Sequence, residues 1–220
     1  MKKIALFLLV IPLGFLLVFY FIPLVKILSI GLATPWQASS AIHVTRITKV
    51  LGFTLYQASI SALLTLALGI PAGYLFYRYR FPLKKLIYLV TAIPFMLPTV
   101  VVASGFNGLA GPNGLVNLVY KILSAQPKPL IFFTGTLWAI LAAHVFYNAT
   151  IVIRMVRGSL EQLDPSLEQA ARTLGASPFA AFLRVTVPRL LPAIVASGFL
   201  VFFFDFTSFG VVLLLGGPKF

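Results

Sequence analysis

Residues 4–30 carry a single charge, Lys26, and four further apolar runs follow at about 50–77, 86–106, 130–155 and 191–215. About 20 consecutive apolar residues cross the hydrocarbon of a bilayer, where the backbone must satisfy its own hydrogen bonds. Runs of this length therefore predict an all-α, polytopic membrane helix bundle. Only 10% of the 220 residues are charged, against about 25% in soluble domains. The net charge of +13 sits in segments between apolar runs, which an inside-positive bias explains and a nucleic-acid partner does not. With no cysteine, disulfides and thiolate metal sites are excluded.

The first run is longer than the ~7–15 apolar residues of a signal peptide, and no small-x-small cleavage site follows. It reads as a transmembrane helix, and 1–49 as that helix plus an extracytoplasmic loop (31–49) with Trp36, His43 and Arg46. In the second run Thr54, Ala58, Ser61, Thr65, Gly69 and Ala72 recur at helical spacing. Such small residues let helices approach closely in lipid. Pro71, between Gly69 and Gly73, predicts a bend. The third run carries Pro94 and Pro98, whose freed carbonyls need a neighbour or a wet cavity. A structural kink and a border of a translocation path are both open. Residues 107–129 read as a polar loop with Lys121 and Lys128.

In the fourth run His144 and Asn148 share a face. Without a neighbouring carboxylate in sequence they define no metal site, and serve either an interhelical hydrogen bond or a pathway lining. Asp205, the one acid in an apolar run, costs about 2.5–3.5 kcal/mol near a helix centre, and the Phe, Leu and Val residues around it return roughly −0.3 to −0.6 each. The segment still inserts. Its carboxyl either faces a pore, where it could meet a cationic solute, or bonds a Thr or Ser of another helix.

The polar stretch 164–194, DPSLEQAARTLGASPFAAFLRVTVPRLLPAI, has its own local logic. Asp164 caps a short helix with Pro165 at its first position, and Glu168 lies near the positive end of the helix dipole. Leu167, Ala170, Ala171 and Leu174 form one narrow face of that helix. Glu168 and Arg172 stand four apart, worth about 0.2–0.5 kcal/mol on an exposed surface. Gly175 supplies the left-handed stop, Ser177 and Pro178 open a second helix, and Pro188 and Pro192 break it.

This stretch resembles the EAA loop of permease subunits of binding-protein-dependent ABC importers. The match rests on Ala170, Ala171, Gly175, Ala176, Phe182, Val185, Pro188 and Pro192 in register, with Gln169 at the usual glutamate position and Glu168 one residue earlier. From about Leu51 onward the chain is similar to the branch that moves thiamine, ferric iron, polyamines, phosphonates or oxyanions. The resemblance implies a type I permease-like fold for 50–220, with at least one more helix after Gly216 and Gly217. The chain is therefore read as a fragment, in preference to a truncated gene product. It further implies that Glu168, Gln169, Ala170, Ala171, Gly175 and Ala176 dock on a cytoplasmic ATPase dimer. A second permease half or subunit and an extracytoplasmic solute-binding protein complete the implied assembly, in a bacterial inner membrane. Asp205, His144, Asn148, Pro94 and Pro98 are the candidate pathway residues.

No phosphate-binding glycine loop with its lysine occurs, so no cofactor is expected in this chain, no catalytic residue is assigned, and ATP belongs to the partner. Lys2, Lys3, Arg78, Arg80, Lys84, Lys85, Arg154, Arg157, Arg172, Arg184 and Arg189 fall on one side of the spans. Arg46, Lys49, Lys121, Lys128 and Lys219 fall on the other, with Lys26 near that end of the first span. This bias predicts a cytoplasmic N-terminus. An ion-coupled transporter or channel using Asp205 and His144, and a membrane-embedded enzyme on lipid or isoprenoid substrates, are the rival readings.

Overall fold

The computed structural model describes residues 2–33, 40–124 and 128–216. Trp36 and Lys219 lie outside the described residues, as do the side chains of Lys2, Lys3 and His43. Two compact units divide the chain between Lys49 and Val50.

In the first unit α1 (Lys2–Leu16) passes through a π-helical turn at Leu17–Phe21 into α2 (Ile22–Ala33). The Ile22 N–H reaches back five residues to the Leu17 carbonyl. The wide turn sits one residue before Pro23, which has no N–H to offer and whose ring would press on the carbonyl four residues earlier. Leu9–Ile30 is long and apolar enough to span a membrane.

The next helix, α3 (Ser40–Arg78), begins ten residues earlier than the apolar run at 50 predicts. Arg46 and Lys49 are therefore helical rather than part of a loop. No glycine or proline interrupts 40–51, and Val44, Ile47 and Leu51 keep the helical spacing. The helix is also unbroken through Pro71.

The third apolar run is not one continuous helix. It divides into α4 (Lys84–Val90), α5 (Ile93–Met96) and α6 (Thr99–Ala110), and Pro98 ends the bend as the residue before α6. The helices Lys84–Met96 and Thr99–Ser124 are bent by 107° at this break. Nor is 107–129 a plain loop, because α7 (Leu115–Ser124) occupies much of it. Asn117, read from sequence as a loop residue, is buried and makes a clamp. Its amide donates to the Gly111 and Ile131 carbonyls at 2.8 and 3.0 Å, and its Oδ1 accepts from the Ile131 N–H at 3.0 Å.

The second unit is built around α8 (Leu137–Gln162), which starts at a Thr136 cap rather than at 130. Val152, Val156 and Leu160 of α8 pack with Ala62 of α3 and with Leu190 and Val201 of the helix that follows the 164–194 stretch. A Cβ added to Gly69 would lie 2.6 Å from the Val152 Cβ, and one on Gly73 would lie 3.0 Å from the Ile153 carbonyl and the Val156 Cβ. Those two glycines are what allow α3 to lie against α8. Small residues gain attraction here through close backbone approach, since lipid removes the usual hydrophobic drive between helices.

After α9 (Ser166–Thr173) and α10 (Pro178–Ala181), a second π-helical turn at Phe182–Thr186 leads into α11 (Val187–Phe206). The predicted break at Pro188 and Pro192 is absent. Pro178–Phe206 is one apolar helical segment of 29 residues. The π turn again lies one residue before a proline, with the Val187 N–H bonded to the Phe182 carbonyl. The helix ends at Phe206, short of the predicted 215, and α12 (Phe209–Val211) leads into a last π turn at Val212–Gly216. Among the described residues four helices are long and apolar enough to cross a membrane, or five if the bent pair counts as one span.

Candidate functional site

Two places concentrate the polar chemistry of the second unit. The first is the link from α8 to α11. Asp164 Oδ1 accepts the Ser166 N–H at 2.9 Å, but α9 starts at Ser166, so Pro165 rather than Asp164 holds the cap position and the Asp164 bond is made from just outside it. That backbone bond holds the exposed Asp164 carboxyl below the usual carboxylate range. At the other end the Ala176 N–H bonds the Ala171 carbonyl at 3.1 Å, and the Gly175 N–H bonds the Arg172 carbonyl at 3.0 Å. Together with Gly175 at φ +92° this is a Schellman stop. Ala171 and Ala176 hold the two positions that frequently make an apolar contact across such a stop, and both are half-buried here. Ser177 Oγ then accepts the Ala180 N–H at 3.2 Å and opens α10.

Glu168 does not pair with Arg172. Among the described residues its Oε2 instead accepts the Thr186 hydroxyl at 3.2 Å, tying α9 to the π turn. A bond that closes a tertiary contact replaces an exposed pair worth only about 0.2–0.5 kcal/mol. A pocket of about 130 Å³ lies behind this link, bounded by Tyr74, Arg78, Leu160, Glu168, Arg172 and Arg189. The outer surface is apolar at its turns. Leu174 is 89% exposed and Phe179 70%, while Gln169 and Ala170 are exposed and Ala171 is half-buried. The predicted Leu167–Leu174 face is thus open, with Ala171 partly turned into the stop.

The second place is an intramembrane cluster joining three spans. Asp205 of α11 is 1% exposed. Its Oδ1 accepts from Asn148 Nδ2 of α8 at 2.7 Å, and its backbone carbonyl accepts from Gln57 Nε2 of α3 at 3.0 Å. His144 Nδ1 lies 3.2 Å from Ser61 Oγ and 3.6 Å from Asp205 Oδ1. The carboxylate that sequence spacing could not put beside His144 comes from 61 residues further on, through the packing of α11 on α8. The bond Asp205 makes is to Asn148, not to a Thr or Ser. Gln57 escaped the sequence reading of roles, and Ser61 enters it only as part of the small-residue packing stripe. The available signal was a lone glutamine four residues from a serine on an otherwise small-residue face. Pro94 and Pro98 stand apart from the cluster's hydrogen bonds, but the residues after them, Phe95 and Thr99, line a cavity of about 160 Å³ beside His144, Tyr147, Asn148 and Asp205.

An all-α set of membrane-length helices, one of them broken, with a short capped helix between two spans, is the architecture of a transport-system membrane component. Residues 65–219 match the family described as "Binding-protein-dependent transport system inner membrane component". The chain belongs to that family. It is 36% identical over 164 residues to the probable sulfate transport system permease protein cysT of Prototheca wickerhamii, covering 74% of this chain and 62% of that protein. It is 33% identical over 177 residues to the thiamine transport system permease protein ThiP of Brucella abortus (strain 2308), covering 79% of this chain and 32% of that protein. The chain therefore spans less than two thirds of the length of these relatives. A chain in the crystal structure of a bacterial ABC transporter involved in the import of the acidic polysaccharide alginate aligns with a TM-score of 0.71 at 17% identity, over 99% of this chain and 79% of that one. That likeness is one of fold.

Proposed function

We propose that this chain is a transmembrane subunit of an ATP-driven ABC importer. It forms, with a second permease half or subunit, the pathway for a small solute handed over by an extracytoplasmic solute-binding protein. Residues 164–194 couple it to a cytoplasmic ATPase dimer, with the N-terminus on the same side, in a bacterial inner membrane. The observation that carries this reading is the build of α9: a helix closed at both ends by its own hydrogen bonds, latched by Glu168 to Thr186, with Leu174 and Phe179 left bare. A rigid, short element with exposed apolar turns is suited to transmit a push from a docked protein. ATP is bound and cleaved in the partner, and its closure swings the spans between inward- and outward-open arrangements.

The coupling reading is tested with Ala171→Leu and Gly175→Val. Leucine keeps helix propensity but adds bulk beside the stop. Valine at a positive φ costs about 1–2 kcal/mol locally. Both variants should insert and express, yet lose ATPase recovery on purification or transport-coupled ATP hydrolysis. Gln169→Glu should assemble as well as the parent or better. Leu and Val variants that recover the ATPase and transport normally would contradict the assignment. The ion-coupled alternative draws on the His144–Asp205 pair, and predicts uptake driven by an ion gradient with no ATPase present.

A further inference from the structure

The cavity beside Asp205 has three properties that general helix packing does not account for. Asp205 Oδ2 and His144 Nε2 belong to residues that line it, and each atom is buried with no hydrogen-bond partner. Asp205 and His144 are each 1% exposed, so bulk water does not serve these atoms, and buried polar atoms are normally satisfied. The cavity also lies where two helices break. Thr99 opens α6 after Pro98, and Ser208 follows the end of α11 at Phe206. Irregular backbone at membrane depth is tolerated where it borders a cavity. Finally, the walls are aromatic: Phe95 and Phe204 stack edge to face at 5.9 Å between centroids, with Tyr147 nearby.

The chemistry of these groups selects the occupant. An anion would meet the oxygens of the Asp205 carboxyl group with no Lys or Arg lining the cavity. A bare metal ion would want several charged ligands, and among the described residues no three His, Asp or Glu side chains gather. His144, the one basic side chain paired with Asp205 among the described residues, stands at 3.6 Å, too long for a hydrogen bond. It leaves Oδ2 free. A cation carried on carbon fits the free carboxyl oxygen and the aromatic walls together, with its charge against Oδ2 and its alkyl surface on the aromatic faces, the arrangement that favours ammonium groups. The volume of about 160 Å³ exceeds the ~30 Å³ share of one water.

We propose that this cavity binds an organic ammonium group, the charged head of a cationic solute passing between the spans. The inference rests on the transport reading above and gives it a solute class. The test uses the full chain with whatever subunits co-purify, reconstituted in nanodiscs, and tetramethylammonium chloride as the probe. The thermal unfolding midpoint should rise saturably with the probe and not with sodium chloride at equal ionic strength. Asp205→Asn, which keeps the bond to Asn148 and should unfold normally without probe, should abolish the rise. Phe204→Leu, outside the hydrogen-bond network, should weaken probe binding at least tenfold. No rise in the parent, an equal rise with sodium chloride, or a rise that survives Asp205→Asn would each overturn the proposal. Water filling the cavity would give the first of these results. ATPase recovery from the same preparation separates the two readings: recovery without a probe response sinks the ammonium site alone, and a probe response without recovery sinks the coupling reading.

Discussion

Glu168 and Asp205 are the two acids whose partners lie far away in sequence, and each ties helices together. Thr186→Val removes the donor to Glu168 while keeping side-chain shape, at a cost of about 1 kcal/mol. It should raise the rate of limited proteolysis between α9 and α11, whereas Glu168→Gln keeps an acceptor and should change it little. Asn148→Leu leaves Asp205 Oδ1 without its 2.7 Å donor. Interhelical hydrogen bonds in membranes average about 0.6 kcal/mol, but an orphaned buried acceptor costs about 1–3. The orphan term should win, with a lowered unfolding midpoint by circular dichroism in detergent. Local features of these sites were legible in sequence. Gly175 as a left-handed stop and Ser177 as a cap involve partners within five residues. The partners of Glu168 and His144 were not, since Thr186 and Asp205 reach them only once α11 has packed.

At the scale of elements, the contact between α3 and α8 decides how near the three polar spans come. Gly69→Leu puts bulk where even a Cβ falls 2.6 Å from the Val152 Cβ. Overpacking typically costs about 1–3 kcal/mol, so this variant should unfold at a lower temperature. It should also loosen the Gln57 and Ser61 bonds to the α11 and α8 residues of the cluster. Gly52→Leu, where an added Cβ meets nothing within 4 Å, is the matched control and should not lower the unfolding temperature. The small-residue stripe announced this packing from sequence alone. The prolines misled, because one missing N–H can be absorbed in more than one way. At Pro98 the helix ends and turns, at Pro71 it continues, and before Pro23 and Pro188 it widens into a π turn. The proline alone does not decide which of these occurs.

For the whole molecule, the charge bias predicts that Arg80 and Glu168 face the cytoplasm and Asn113 faces outward. Cysteine substituted at Arg80 should react only with membrane-permeant thiol reagents in intact cells, and cysteine at Asn113 with impermeant ones. The same absence of native cysteine makes possible the most direct test of the coupling claim. Leu174→Cys places the one thiol of this chain on the most exposed apolar residue of the 164–194 stretch. Loaded with a thiol-attached photo-crosslinker in native membranes, it should capture the cytoplasmic ATPase, with a yield that changes when ATP is added. Capture of lipid alone, or of an extracytoplasmic protein, would contradict the account.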